Sequence, residues 1–133
     1  MPAMADIVVK KNDGTTDITY NAMTPSSGDK TPARWRCESI GTVAGNRPTL
    51  ELMSKSSVNG QYRVVESKDV YPETFTDSNT GLVKIRDRVL VEARAVVPLN
   101  AADAIVAEAT AQSINLLKSN LVQLVFKTGF APT

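Results

Sequence analysis

The chain has 133 residues, a formal net charge of +1, one cysteine and no histidine. Without histidine, one chain cannot form a Ser-His-Asp or Cys-His catalytic group or a histidine-based metal site, and a single cysteine excludes an internal disulfide framework. It also has no signal-peptide core, no apolar run of membrane-helix length and no glycine-rich phosphate loop. We therefore expect one domain over residues 1–133, with no cofactor, metal, membrane partner or small-molecule substrate.

The first part of the chain is predicted to form strands and turns. Residues 5–22 are predicted to form a β-hairpin, because Asp13-Gly14 is a favoured turn between two strand-like segments. A loop rich in proline, glycine and serine follows at 24–32. Alternation of apolar and polar residues then predicts three strands, at 33–40, 49–56 and 61–68.

The alternation also assigns the faces of these strands. Trp35 and Cys37 are predicted to face the core, where packing is the expected role of both. Strand 61–68 is predicted to turn Tyr62 and Val64 to one side and its odd residues to the other. The odd residues include Arg63 and Val65, which would then share the polar face of the sheet. Asn59-Gly60, just before this strand, is the strongest hairpin signal in the chain.

Residues 69–81 are predicted to be a polar loop that contains Tyr71, Pro72, Phe75 and Asn79. Its length fits a long hairpin connection between two strands.

The segment 82–97 is predicted to be one long strand with two unlike faces. Its odd residues are apolar except for Asp87, whereas its even residues are mostly cationic. Fully extended it spans about 50 Å at ~3.3 Å per residue, whereas a compact chain of this length has a diameter near 36 Å. The strand must therefore bend, overhang or be shared with a partner, which favours an oligomer.

The C-terminal part is helical. Ile114, Leu117, Leu121 and Leu124 recur at helical spacing, so helices are predicted over 100–127, with a possible break at Ser119-Asn120. Strands in succession followed by helices indicate an α+β fold, with a sheet at 33–97 and the helices on one of its faces.

The polar face of the predicted sheet is rich in cations. The residues concerned are Arg34, Arg36, Arg47, Lys55, Arg63, Lys84, Arg86, Arg88 and Arg94. Most of them are arginine, whose planar donors suit phosphate. The pattern favours RNA binding, with an ordinary solvated surface as the competing interpretation.

Three segments together resemble one family. They are Val-Asn-Gly-Gln-Tyr-Arg-Val-Val at 58–65, Leu-Leu-Lys-Ser-Asn-Leu at 116–121, and Glu92 followed by Pro98 and a helix containing Asp103. With the order of elements, they make nearly the whole chain similar to the coat proteins of single-stranded RNA bacteriophages, the levivirus family.

This resemblance implies a fold and a role. The fold is an N-terminal hairpin, a five-stranded antiparallel sheet and two C-terminal helices, with two subunits interlocked as a dimer. Dimers would assemble into an icosahedral shell in the cytoplasm of a bacterial host, and the virion would enclose genomic RNA. Loop residues Tyr71, Pro72, Phe75 and Asn79 would contact other subunits. No catalytic residue is implied.

In that family the sheet face away from the helices binds a genomic RNA hairpin, so the resemblance also implies an RNA-binding surface there. The positions that match the family's RNA contacts are Arg47, Thr49, Glu51, Met53, Lys55, Arg63, Val65, Arg88, Leu90 and Glu92. Arg34, Arg36 and Arg86 join them from the charge pattern. Arg88 stands where the best-known members have a stacking tyrosine, and Leu90 where they have asparagine, so the known hairpin specificity does not transfer.

Two other classes of protein remain open at this point. One is a dimeric β-sheet regulator that binds nucleic acid without forming particles. The other is a small enzyme that uses carboxylates, which has less support because no pair of acidic residues stands at a telling spacing. Particle size separates the coat protein from the regulator.

Overall fold

The computed structural model describes residues 2–41 and 43–133. The chain divides into two compact units, Met1–Val96 and Val97–Thr133. Six strands form an antiparallel sheet whose spatial order is the order of the sequence. They are β1 (Ile7–Lys10), β2 (Asp17–Thr24), β3 (Ala33–Arg36), β4 (Thr49–Ser56), β5 (Tyr62–Thr76) and β6 (Val83–Pro98).

The predicted N-terminal hairpin is confirmed, since β1 and β2 pair with Ile7 opposite Tyr20. Asp13 holds its turn together, because its carboxylate accepts hydrogen bonds from the backbone N–H groups of Thr15 and Thr16, both at 2.9 Å. Hydrogen bonds from Thr16 lower the pKa of Asp13 to about 2. Gly14 has a φ of 75°, a conformation that glycine adopts at little cost.

The third strand is shorter than predicted. β3 ends at Arg36, and a single ladder-like bond continues beyond it, from the N–H of Cys37 to the carbonyl of Pro48 at 2.9 Å. The chain turns away at Gly41, where φ is 81° and a Cβ atom would lie 3.0 Å from the backbone oxygen of Asn46. Such a turn cannot continue a strand, so the predicted strand 33–40 was too long.

The predicted loop over 69–81 was wrong. β5 runs on through Tyr71, Pro72 and Phe75 to Thr76, so these three residues lie in a strand. The turn is limited to residues 77–82, and of the four predicted loop residues only Asn79 lies in it. The N–H of Asp77 donates to the carbonyl of Leu82 at 2.8 Å and closes the turn. Aromatic residues and threonine favour strands, and these preferences outweigh the polar character of the segment.

The second unit contains helices α1 (Asp103–Lys118) and α2 (Asn120–Thr128). Ser119 separates them with an extended backbone (φ −63°, ψ 147°), which confirms the predicted break. α2 ends at Gly129, which has a φ of 78° and donates its N–H to the carbonyl of Val125 at 2.8 Å. Within the described residues, neither helix is long and apolar enough to cross a membrane.

The buried apolar side chains include Trp35, Cys37 and Val64, of which Val64 lies on the side of the sheet opposite Trp35. Trp35 is 7% exposed and Cys37 is fully buried, as predicted. The indole N–H of Trp35 donates to the carbonyl of Ala5 at 2.8 Å, which ties the N-terminal segment to this side of the sheet. Burial raises the pKa of the nearby Tyr20 to about 12. We call the side of the sheet that carries Trp35 the Trp35 face.

Asp69 is an unusual member of the Trp35 face. The register places it opposite Leu50, which in turn lies opposite Trp35. Its Oδ1 atom is buried and accepts no hydrogen bond from any described residue. Because desolvation disfavours the charged form, burial raises the pKa of Asp69 above its ordinary value. The ionised carboxylate therefore destabilises the folded chain.

Replacing this carboxylate tests the effect. A carboxyl group whose pKa is raised by folding costs no stability at low pH. Its cost begins as pH rises above the pKa of the unfolded chain and is complete once pH exceeds the folded pKa. Asp69→Asn is therefore expected to increase the free energy of unfolding at pH 7 by about 1 kcal/mol. The gain should vanish below about pH 4, near the pKa of an unfolded aspartate. Urea unfolding at several pH values measures this; Asp87→Asn, on exposed β6, is the control. An Asp69→Asn pH profile equal to wild type would contradict it.

Candidate nucleic-acid interface

The strand register defines a charged face on the other side of the sheet from Trp35. Residues directly opposite each other in an antiparallel pair point to the same side. Arg34 pairs with Glu51 between β3 and β4, and Met53 pairs with Glu66 between β4 and β5. We call this side the charged face; β3, β4 and β5 contribute Arg34, Arg36, Thr49, Glu51, Met53, Lys55, Val64, Glu66, Lys68 and Val70.

The register corrects the predicted position of Arg63 and Val65. Ser54 lies opposite Val65, and Ser56 opposite Arg63, so both residues belong to the Trp35 face. The guanidinium of Arg63 donates to the hydroxyls of Ser54 and Ser56 at 3.0 and 3.1 Å, on that same side. Two predicted RNA-contact residues are therefore separated from the other members of the predicted set.

Arg63 has a different set of partners. Its two terminal nitrogens donate to both carboxylate oxygens of Asp29 at 2.8 and 2.9 Å, a bidentate pair. The hydrogen bond from Arg63 lowers the pKa of Asp29. The Asp29 carboxylate also accepts from the N–H of Ser56 at 3.2 Å. Arg63 thereby fastens the loop between β2 and β3 to the β4–β5 hairpin.

This arrangement predicts the effect of removing the guanidinium. Arg63→Ala is expected to make the loop at 25–32 more accessible, so that limited proteolysis cuts there first, while the RNA affinity of the protein stays within about twofold of wild type. Lys11→Ala, at an exposed position after β1, is the charge-matched control. A large loss of RNA affinity with an intact loop would return Arg63 to the RNA-binding set.

β6 adds its even residues to the charged face. The Nε atom of Arg94 lies 4.0 Å from the Oε1 atom of Glu66, a member of that face. Alternation along β6 then places Arg86, Arg88, Leu90 and Glu92 on the same side. Arg86 lies 3.9 Å from Glu73 and 5.1 Å from the centroid of the Phe75 ring. Pro72, which cannot donate to a ladder, lies between the two β5 partners, Glu66 and Glu73.

Most cations of the charged face are already paired with carboxylates. Arg34 binds Glu51 at 2.9 Å, and Lys55 binds Glu66 at 3.0 Å. Arg36 binds Glu38 at 2.7 Å. These pairs lower the positive electrostatic potential of the charged face. The sequence pattern suggested a more cationic face because it did not place Glu66 and Glu73 next to these cations.

Two further cations lie at the margins of the charged face. Arg47 follows a 3-10 turn and donates to Glu38, which it shares with Arg36. Lys84 donates to Asp77 at 2.8 Å, and this hydrogen bond lowers the pKa of Asp77.

Two cations of the charged face stand apart from these pairs. Within residues 2–41 and 43–133, Lys68 and Arg88 have no carboxylate within salt-bridge distance, and both side chains are exposed. Arg88 was among the predicted contacts, whereas Lys68 was missed. The missed signal is the hairpin turn at 57–62, in which the N–H of Gly60 donates to the carbonyl of Ser57 at 3.0 Å and the N–H of Ser57 donates to the carbonyl of Tyr62 at 2.9 Å. Its length sets the register that sends Lys68, and not Arg63, to the charged face.

A groove of about 380 Å³ crosses the charged face between β4, β5 and β6. Its walls include Glu51 and Met53 from β4, Lys68 from β5, and Glu92 and Arg94 from β6. Its volume is within the range of small-ligand sites. The groove therefore combines an apolar side chain with charges of both signs.

The predicted RNA-contact set is thus divided by the structure. The residues brought together on the charged face are Arg34, Arg36, Thr49, Glu51, Met53, Lys55, Arg86, Arg88, Leu90 and Glu92. Arg47 lies at the edge of that face, and Arg63 and Val65 lie on the other side.

The arrangement of strands and helices defines a known class of fold, that of the RNA bacteriophage coat proteins. Among solved structures, the chain is similar to the virus-like particle of Beihai levi-like virus 21, with a TM-score of 0.83, 18% identity, and 99% of each chain covered. It is also similar to the virus-like particle of bacteriophage NT-214, with a TM-score of 0.82, 16% identity, and 99% and 100% of the two chains covered.

The bacteriophage GA protein capsid gives a TM-score of 0.75 at 16% identity, with 96% of this chain and 95% of that chain covered. No protein-family profile matches the chain, and neither does any curated protein sequence. The resemblance seen in the sequence is therefore confirmed for the fold, at identities where sequence comparison alone finds no relative.

Proposed function

We propose that this protein is the coat subunit of an RNA bacteriophage, a structural protein and not an enzyme. One observation carries the proposal: the fold matches that of virus-like particle subunits over 99% of both chains. A match over the whole length leaves no large insertion that could house another activity. The protein would reside in the virion after assembly in the cytoplasm of its bacterial host.

The building block of this shell would be a homodimer. Apolar side chains of both helices are exposed in the single chain, including Ile114, Leu117, Leu121 and Phe126. The long strand β6 also lies at one end of the strand order, with one edge unpaired. Because such surfaces are buried in stable proteins, a second copy that covers them explains both features.

The charged face would bind the single-stranded genomic RNA inside the shell. Lys68 and Arg88 support this role, because no carboxylate of the described residues neutralises the Lys68 ammonium group or the Arg88 guanidinium. The partly paired cations can exchange their carboxylates for phosphates when RNA arrives. The contact residues would be those that the charged face gathers, together with Arg47 at its edge.

Particle size tests the proposal. Purified protein produced in bacteria is expected to form closed, uniform shells in negative-stain micrographs, and these shells should contain host RNA that absorbs at 260 nm. RNA-free dimers that never assemble, at any protein concentration or salt, would overturn it. Dimers that bind RNA without forming shells would instead indicate a nucleic-acid-binding regulator.

The turn at 77–82 would contact other subunits around the symmetry axes of the shell. It carries Asn79 at its centre, and Leu82, 61% exposed, at its end. Replacing residues 78–81 with Asn-Gly should leave folded dimers and alter or abolish closed particles, as measured by circular dichroism and electron microscopy. Shells of unchanged size and stability would show that the turn is not a contact.

A further inference from the structure

We propose that the groove on the charged face is a base-selective subsite for an unpaired guanine of single-stranded RNA. This inference rests on the proposed RNA-binding function and adds the identity of the base. It depends on which charges in the groove are already paired and which are available to a ligand.

Two acidic residues of the groove are occupied by neighbours. Glu51 is held by Arg34 at 2.9 Å. Glu66 is held by Lys55 at 3.0 Å and approached by Arg94 at 4.0 Å. These contacts engage Oε1 of each carboxylate and partly neutralise its charge. Glu92, whose carboxylate has no cation partner among the described residues, is therefore the stronger acceptor for a base.

Glu92 and Lys68 are the available charges. Both line the groove, and neither has a partner of opposite charge within 4.0 Å among the described residues. Both lie an even number of positions along their strands from Glu66 and Arg94, which also line the groove. The groove therefore presents a carboxylate from β6 and an ammonium group from β5, and both are available to a ligand.

This pair of groups matches the edge of guanine better than that of any other base. The Watson–Crick edge of guanine presents two donors, N1–H and the N2 amino group, beside one acceptor, O6. The Glu92 carboxylate can accept from both donors at once, and the Lys68 ammonium can donate to O6 or N7. Adenine offers no such pair of donors next to an acceptor, and uracil offers only one donor. Met53, also in the groove, supplies an apolar surface for the ring.

The test uses the purified full chain at a concentration where light scattering shows no particles. Short oligouridylate RNAs carry guanine, adenine or inosine at one central position, and fluorescence anisotropy gives the affinity for each. Wild type is expected to prefer guanine over adenine by at least about fivefold, the lower end of what one bidentate base contact provides. Inosine, which lacks the N2 amino group, should fall between them.

Two variants separate this subsite from general RNA binding. Glu92→Gln keeps the shape of the side chain but removes the charged acceptor pair, and should bring the guanine-to-adenine ratio to within about twofold of unity. Glu73→Gln, also next to β6 but outside the groove, is the matched control. It removes the same charge and should leave the ratio at the wild-type value, even if overall affinity rises.

Each outcome decides a different claim. If RNA binds but all bases bind equally, or if Glu92→Gln leaves the guanine preference unchanged, the guanine subsite is overturned and the RNA-binding function stands. If no oligomer binds at low salt, the proposed RNA-binding function is overturned together with the subsite.

Discussion

Leu117→Glu should convert dimers into monomers and abolish particles. The Leu117 side chain is 47% exposed in the single chain and forms an apolar row with Ile114, three residues before it on α1. Leu121 of α2 is also exposed. Burying one leucine side chain contributes about 1.5–3 kcal/mol. Because the substitution occurs once in each subunit, dimer affinity should fall at least about a hundredfold, at ~1.4 kcal/mol per tenfold.

The measurement is analytical ultracentrifugation over a range of protein concentrations. Asn115→Glu introduces the same charge on the same helix, about half a turn away from the apolar row, and should leave the dimer intact. If Leu117→Glu remains a dimer with wild-type affinity, the exposed row is not part of the interface. A monomeric Asn115→Glu would mean that the interface extends around the helix.

The second large effect concerns the two cations of the charged face that no carboxylate neutralises. Each phosphate contact adds about 0.7 unit to the dependence of log affinity on log salt for single-stranded RNA. The double variant with Lys68→Ala and Arg88→Ala should therefore lower this slope by about 1.4 units. Both side chains are exposed, so the fold should be unaffected.

A control with the same change in net charge makes this result specific. Lys118 and Lys127 lie on the helices and outside the charged face. Their double replacement by alanine should leave the salt slope at the wild-type value. Equal slopes for the two double variants would mean that RNA responds to the net charge of the protein, and that the charged face is an ordinary solvated surface.

The sequence predicted the elements with strong periodicity well. Strand 49–56 has the observed bounds of β4, the long strand begins and ends within one residue of β6, and the helix break falls at Ser119 as expected. These segments have consistent local signals. Strand alternation, helical spacing and a residue that disfavours helix continuation all indicate the same structure.

The errors occurred where a local signal conflicted with the pairing of strands. The segment after Lys68 is polar and contains proline, yet it pairs as a strand up to Thr76. Polarity alone cannot show this, because the partner that supplies its hydrogen bonds is β6, which follows later in the chain. A prediction that uses polarity alone places a loop there.

The face of β5 was the more consequential error for the site. The apolar residues Tyr62 and Val64 suggested one assignment of faces, whereas the hairpin turn at 57–62 gives the other, with Lys55 opposite Val64. Changing the parity of a strand by one residue moves all its side chains to the opposite face. Lys68 therefore lies on the charged face, Arg63 lies on the Trp35 face, and Glu66 lies among the cations of the charged face.

In the proposed dimer the edge of β6 would pair with the partner copy, so assembly and aggregation would compete for the same backbone groups. A strand of 16 residues exposes a row of N–H and C=O groups that any extended peptide can pair with. A newly synthesised chain must meet a folded copy of itself before it meets another unfolded chain. Alternating charged side chains along β6 oppose the stacking of sheets and so favour the productive encounter. Slow synthesis at low temperature should therefore increase the yield of soluble protein, because it keeps the concentration of unfolded chains low.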